Sequence, residues 1–158
     1  MADNRLHAVL SAGQEEEKKR IRKGLEWTGQ YDLMQKFEDT IASAGVRPGR
    51  TMEGDLLMLR ELCRKAHTFR SKDEIFYTAL NWAVARMWKE GIAVLLENDA
   101  VPDSETLYRA VSNGMKDVIF DLLAKGAFAD ERSLEYARRA NERWSRPDIV
   151  AALENSTK

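Results

Sequence analysis

The amino-acid sequence predicts an all-α fold, a helical-hairpin solenoid preceded by an N-terminal helical region, and three observations carry that prediction. Charged residues make up 32% of the 158-residue chain while only three prolines and nine glycines interrupt it, a balance that suits solvated helices better than strands. Apolar residues recur at helical spacing in one segment after another. The C-terminal half also repeats itself at an offset of 27 residues, the mark of stacked units. With 44% apolar residues the chain can fill one core, so residues 1–50 form the helical N-terminal region and 51–158 the solenoid, within one continuous domain.

Leu6, Val9 and Leu10 share one helical face, which Gly13 closes. Glu15, Glu16 and Glu17 precede Lys18, Lys19 and Arg20, and the pairs Glu15–Lys19 and Glu16–Arg20 have the acid-first i,i+4 order of an exposed helix. Tyr31, Met34, Phe37, Ile41 and Ala44 give a further amphipathic helix, stopped by Gly45, Pro48 and Gly49. The stretch from Gly45 to Gly54 reads as a loop. Beyond it, Leu56, Leu59, Leu62, Cys63 and Ala66 line one helix face, and Ser71 with Glu74 has the spacing of a capping box for a helix through Ile75, Phe76, Ala79, Leu80 and Ala83.

The repeat emerges when Leu95-Leu96-Glu97-Asn98-Asp99-Ala100 is laid over Leu122-Leu123-Ala124-Lys125-Gly126-Ala127, an offset of 27 residues. The same shift carries Leu80 to Leu107 and Leu134, and Ala83 to Ala110 and Ala137. A unit of this length cannot bury its apolar face alone and does so against its neighbours. From Asp117 to Asp148 the spacing is 31, which places an insertion of four residues in the turn of the third unit, around Glu142 to Arg146.

The central unit, Glu105 to Ala127, resembles an ankyrin repeat. Thr106, Leu107 and Ala110 match the family's opening, Gly114 its turn, Asp117, Val118, Leu122 and Leu123 its second helix, and Gly126-Ala127 its end. The resemblance covers roughly residues 78–154, with Glu90-Gly91 where the first unit's turn is expected and without the family's Pro and His in the opening. The unit falls about six residues short of the ~33 of the family, a loss that removes the β-hairpin finger. Residues 1–70 carry no such motif and are read as a helical cap, as further degenerate pairs or as a region with its own task. The resemblance implies a protein-interaction module, an adaptor, inhibitor or effector that holds its partner on the inner, concave helix face.

The chemistry-bearing residues point the same way. Twenty-five Lys and Arg against 26 Asp and Glu leave no global field for nucleic acid or lipid, and a nucleic-acid role for Lys18, Lys19, Arg20, Arg22 and Lys23 is not expected beside so many acids. No window approaches the ~18 apolar residues of a membrane span. Cys63 is the only cysteine and sits in an apolar run, as a buried small hydrophobe, and a cytoplasmic or nuclear location is expected. His7 and His67 have no partners at zinc-site spacing, so neither metal nor cofactor is expected, and no catalytic motif is found. The four tryptophans are Trp27, Trp82, Trp88 and Trp144. Trp82, Tyr108 and Tyr136 fall near corresponding positions of the first helices, and Arg86, Arg109, Arg138 and Arg139 lie on or beside the same helices, so these seven form the candidate partner- or ligand-binding set. The alternative is a small-molecule binder or unusual enzyme with an aromatic pocket between the N-terminal helices and the solenoid. A homodimer is compatible with the sequence.

Overall fold

The computed structural model describes residues 13–20, 29–44 and 51–157, and every regular element among them is a helix. In chain order these are α1 (residues 13–20), α2 (Gln30–Ala42), α3 (Met52–Ala66), α4 (Lys72–Ala85), α5 (Lys89–Glu97), α6 (Ser104–Ser112), α7 (Lys116–Ala124), α8 (Glu131–Trp144) and α9 (Pro147–Ser156). Leu6, His7, Val9, Leu10, Arg22, Lys23, Trp27, Gly45, Pro48 and Gly49 lie outside the described residues.

Gly13 stands within α1 and does not end a helix at that point. The ion pairs of α1 run at i,i+3, Lys18–Glu15 at 3.4 Å, Lys19–Glu16 at 3.5 Å and Arg20–Glu17 at 3.7 Å, one step shorter than the i,i+4 register expected. Gln14 Nε2 donates to Glu53 Oε1 at 2.9 Å, which ties α1 to the start of α3. In α2 the buried stripe is Leu33, Phe37, Thr40 and Ile41, while Tyr31, expected on that face, is 76% exposed. Leu33 takes its place because 33, 37, 40 and 41 follow the i, i+4, i+7 and i+8 rows of one helix side. The expected loop ends early: Thr51 caps α3, its Oγ1 accepting from Gly54 N–H at 2.9 Å, so Gly54 lies inside the helix. Leu59, Leu62, Cys63 and Ala66 are buried as read from the sequence, and burial pushes the Cys63 thiol up to about 12 against the opposing charge of Arg60. The capping box at Ser71 does not form, because Ser71 sits outside the extended region a cap requires and its side chain makes no cap bond.

From α4 onward the chain folds as helical hairpins, and the first two turn in the same way. Met87 (φ 59°) and Gly114 (φ 69°), at the 27-residue offset, are left-handed. Around them Trp88 N–H donates to Ala83 O and Met115 N–H to Ala110 O, both at 3.0 Å, while Met87 N–H reaches Val84 O (3.0 Å) and Gly114 N–H reaches Val111 O (3.1 Å). These are the paired bonds that satisfy the last carbonyls of a helix and reverse the chain. The second helices end identically, with Asp99 (φ 67°) and Gly126 (φ 96°) left-handed and Ala100 N–H to Leu95 O and Ala127 N–H to Leu122 O at 3.1 Å. Gly91, expected in the first unit's turn, lies instead in α5 and is buried. A Cβ there would stand 2.3 Å from Trp88 Cε3. Met115 and Val118 hold the equivalent places in the next unit, so Trp88 and Gly91 exchange bulk between two facing positions.

The four extra residues of the third unit lengthen α8 rather than its turn. Asn141 to Trp144 continue the helix, and the left-handed residue becomes Ser145 (φ 50°), 31 residues after Gly114. Four residues are close to one helical turn, so the apolar side is kept and Ala137 and Ala140 are both buried on it.

The hairpins α4/α5, α6/α7 and α8/α9 stack so that α4, α6 and α8 lie side by side, with α7 against α9. The pair α2/α3 joins the same stack, α2 beside α4 and α3 beside α5, so the N-terminal region adds a pair to both rows. A single buried apolar cluster runs from Leu33 of α2 to Leu153 of α9.

Two stability outcomes follow from these turns. Gly114→Ala is expected to lower the unfolding free energy by about 1 kcal/mol, because the added methyl meets no atom within 4 Å and only the left-handed backbone opposes it; Met87→Gly is expected to raise it by about 0.5 kcal/mol, the relief being offset by the greater freedom of glycine in the unfolded chain. Urea unfolding of both variants checks the opposite signs. Gly91→Val is expected to cost about 1–3 kcal/mol by overlap with the indole and Trp88→Met about 2 kcal/mol through the space it leaves. The double variant, which installs the next unit's pair, is expected to recover at least half of the summed loss; simple additivity in the same unfolding assay would refute the exchange of bulk.

Candidate functional site

The side-by-side packing of α4, α6 and α8 puts residues at the 27-residue offset next to one another. Glu105 and Arg132 are such a pair, and Arg132 Nη2 donates to Glu105 Oε2 at 2.7 Å. Arg132 also bonds Asp130 Oδ2 at 2.9 Å and its guanidinium lies over the Tyr108 ring, 4.5 Å from the centroid. Arg109 stands 3.5 Å from Glu105 Oε1. Tyr136 donates its hydroxyl to Ser112 O at 3.1 Å, and its ring lies 6.3 Å from that of Trp144.

The starts of α6 and α8 are fixed by the same device, again 27 residues apart. Asp103 Oδ1 accepts from Thr106 N–H and from the Thr106 hydroxyl, both at 3.0 Å, and Asp130 Oδ1 accepts from Ser133 N–H (2.9 Å) and the Ser133 hydroxyl (3.0 Å). The Asp103–Thr106 box supplies the hydrogen-bonded helix start in the absence of Pro and His. Tyr77 of α4 donates to Asp103 Oδ2 at 2.8 Å and so joins the cap to the preceding unit. Burial pulls the Asp103 carboxyl upward, but the bonds from the Thr106 amide, Tyr77 and the Thr106 hydroxyl outweigh it and hold its pKa below the ordinary carboxylate value. At Asp130 burial is likewise outweighed, by the Ser133 amide, Arg132 and the Ser133 hydroxyl. The same bond to Asp103 raises the pKa of the Tyr77 phenol.

The seven residues singled out from the sequence separate into three groups. Trp82 and Arg86 come together at a depression of about 230 Å³ between α2 and α4, whose other walls are Glu38, Ile41, Ala42 and Ala85. Tyr108, Arg109 and Tyr136 lie on the α6–α8 part of the row, within the network around Arg132 and Ser112. Arg138 turns away from it to Glu154 of α9 (3.2 Å), and Arg139 pairs with Glu135 at 2.6 Å. A free basic stripe is therefore not present: Arg109, Arg138 and Arg139 each face a carboxylate, and of the four candidate arginines Arg86 has no ion pair among the described residues. Exposed ion pairs of this kind contribute about 0–1 kcal/mol each and serve mainly to neutralise the face.

Sequence reasoning missed Glu105 and Arg132 as a pair, although opposite charges at equivalent positions of successive units are a readable signal. It also missed the α2 side of the depression, for which the sequence has no repeat register. His67, read as structural, lies 4.8 Å from the Phe76 ring and within 3.1 Å of Asn98 Oδ1. A shallow, open depression of about 970 Å³ lies between α7 and α9, with Phe120, Leu123, Phe128 and Ala152 in its lining. Among the described residues no His, Cys, Asp and Glu cluster fit for a metal occurs, and no helix is long and apolar enough to cross a membrane. No protein-family model matches the chain, and no curated protein or solved structure is measurably similar to it. The functional reading therefore rests on the geometry.

The two caps give a pH dependence of stability. A carboxyl whose folded pKa is depressed contributes stability above its unfolded value, about 3.9, and loses it as the pH falls through the lower folded value. Unfolding free energy is thus expected to be level through these groups from neutral pH to about 5 and then to decline as acid is added. Urea titrations from neutral to acidic pH check this, and Asp103→Asn and Asp130→Asn are each expected to flatten the acid limb.

Proposed function

We propose that this chain is a protein-interaction module built from degenerate, ankyrin-like helical hairpins, which holds a partner along the row of first helices. The observation that carries this reading is the arrangement of Trp82, Arg109 and Tyr136 at the 27-residue offset along α4, α6 and α8, with Tyr108 beside Arg109, the three aromatic rings partly exposed and Arg109 exposed. Aromatic and arginine side chains are the residues from which binding hot spots are made, because they bury a large area at modest entropic cost and carry polar ends. The repeated left-handed turns support the family resemblance, as they occupy the positions of its glycines. The shortened connections leave the helices, rather than loops, to meet the partner.

The alternative of a ligand pocket places an aromatic cavity between the N-terminal helices and the stack. The depression at Trp82 has that position, but its volume of about 230 Å³ is below the ~300–1,000 Å³ of pockets that take small molecules, and Tyr108 is not part of it. It suits one side chain of a larger partner.

Affinity capture from cells that produce the protein tests the reading. A defined partner is expected with the wild-type chain, its yield falling at least tenfold, about 1.4 kcal/mol, with Tyr108→Ala combined with Arg109→Glu, and holding with Phe120→Ser on the opposite row. Equal capture by all three chains would overturn it.

A further inference from the structure

We infer that the depression between α2 and α4 is an anchor pocket for one bulky apolar side chain of an acidic protein partner, with a carboxylate beside that side chain set on Arg86. The inference rests on the interaction reading above and names the chemistry of the partner. The walls are apolar where a side chain enters: Ile41 and Ala42 come from α2, Trp82 and Ala85 from α4. Trp82 is partly buried against the core, so its indole is held in place, and Ala85 is exposed and small, which leaves the entrance open. Closing such a site over an aliphatic or aromatic group removes water from all four walls, at about 25 cal/mol for each Å² of apolar surface covered.

Charge sets the polarity of what docks. Arg86 closes α4 as its C-cap residue, its side chain exposed and without an ion pair among the described residues, while Arg109, Arg132, Arg138 and Arg139 each already face a carboxylate. An incoming carboxylate at this depression therefore meets a guanidinium with no ion pair among the described residues, and a planar fork suits it better than a point charge would. Glu38 stands on the α2 side of the same depression and repels a second acid there. The partner's carboxylate is thus directed to the α4 side, which fixes the direction in which the anchor residue is approached. The larger depression between α7 and α9 has no charged group in its lining and offers no such selection.

A random peptide library displayed on phage, selected against the full chain, tests the inference. The recovered peptides are expected to carry Leu, Phe or Trp beside Asp or Glu. By fluorescence anisotropy, Arg86→Glu is expected to weaken them at least tenfold and to favour the same peptides with Lys in place of the acids. Ala85→Leu, which fills the pocket from an exposed position, is expected to weaken both peptide sets, and both variants are expected to keep the wild-type unfolding midpoint. Selection of basic flanks overturns the inference. Binding that is indifferent to Arg86→Glu and Ala85→Leu but lost in Tyr108→Ala with Arg109→Glu overturns the pocket and leaves the interaction reading standing. A library that yields no binder, or binders indifferent to every variant, defeats both.

Discussion

Two amide groups that reach back across a left-handed residue are the constraint on which the rest of this structure depends. At Met87 and at Gly114 the chain leaves a first helix through the same pair of bonds, so the second helix is reached through the same turn in both units. Because the turn repeats, the 27-residue spacing of the apolar side chains is kept, and Leu80, Leu107 and Leu134 fall into one continuous core. The 27-residue spacing is thus a spacing of turns before it is a spacing of side chains. When four residues enter the third unit they do so inside α8, where nearly one whole turn is added and the core-facing side is preserved.

The same register explains why the row of first helices is electrically quiet. Glu105 and Arg132 are neighbours because they hold equivalent positions in adjacent units, and Arg132 in turn covers Tyr108 and binds the cap at Asp130. Each of these contacts is worth little by itself in water. Together they hold side chains across two hairpins and leave the face aromatic and neutral, with Arg86 standing outside the network at its α4 end. Were such a face to bind a partner, as proposed, shape and a few charges would set the choice rather than bulk attraction.

Much of the fold was legible in the sequence because the repeat is periodic and its punctuation is glycine. Gly114 and Gly126 announced two turns by their chemistry. Met87 and Asp99 perform the same task without announcing it, and the glycine that does stand near the first unit's turn, Gly91, is the third residue of α5. The N-cap of α4 was misread for a related reason: Ser71 and Glu74 have the right spacing, but the backbone at Ser71 is not extended, and spacing alone does not report that. Cys63 as a buried hydrophobe followed directly from its neighbours. The site was less legible. Trp82 and Arg86 were found on the stack, whereas Glu38, Ile41 and Ala42 reach them only through the packing of α2 on α4, for which no offset in the sequence gives a register.

The departures from the repeat rule are concentrated in the first unit. There α4 is five residues longer than α6, Met87 stands where glycine is favoured, and Trp88 with Gly91 replaces Met115 with Val118. A left-handed methionine costs about 1–2 kcal/mol relative to a right-handed one, and a stack selected for stability alone would not keep it where glycine serves in the next unit. These departures flank the segment that carries Trp82, Ala85 and Arg86, and the longer α4 is the helix against which α2 packs. Local rules that hold in one unit and fail in the neighbour are where functional demands are expected to compete with packing, and here they adjoin a depression with apolar walls and a guanidinium that has no ion pair among the described residues. The second unit has glycine at its turn and Met115 with Val118 at the facing pair, and the first differs from it at both places, next to the end of α4 that carries Ala85 and Arg86.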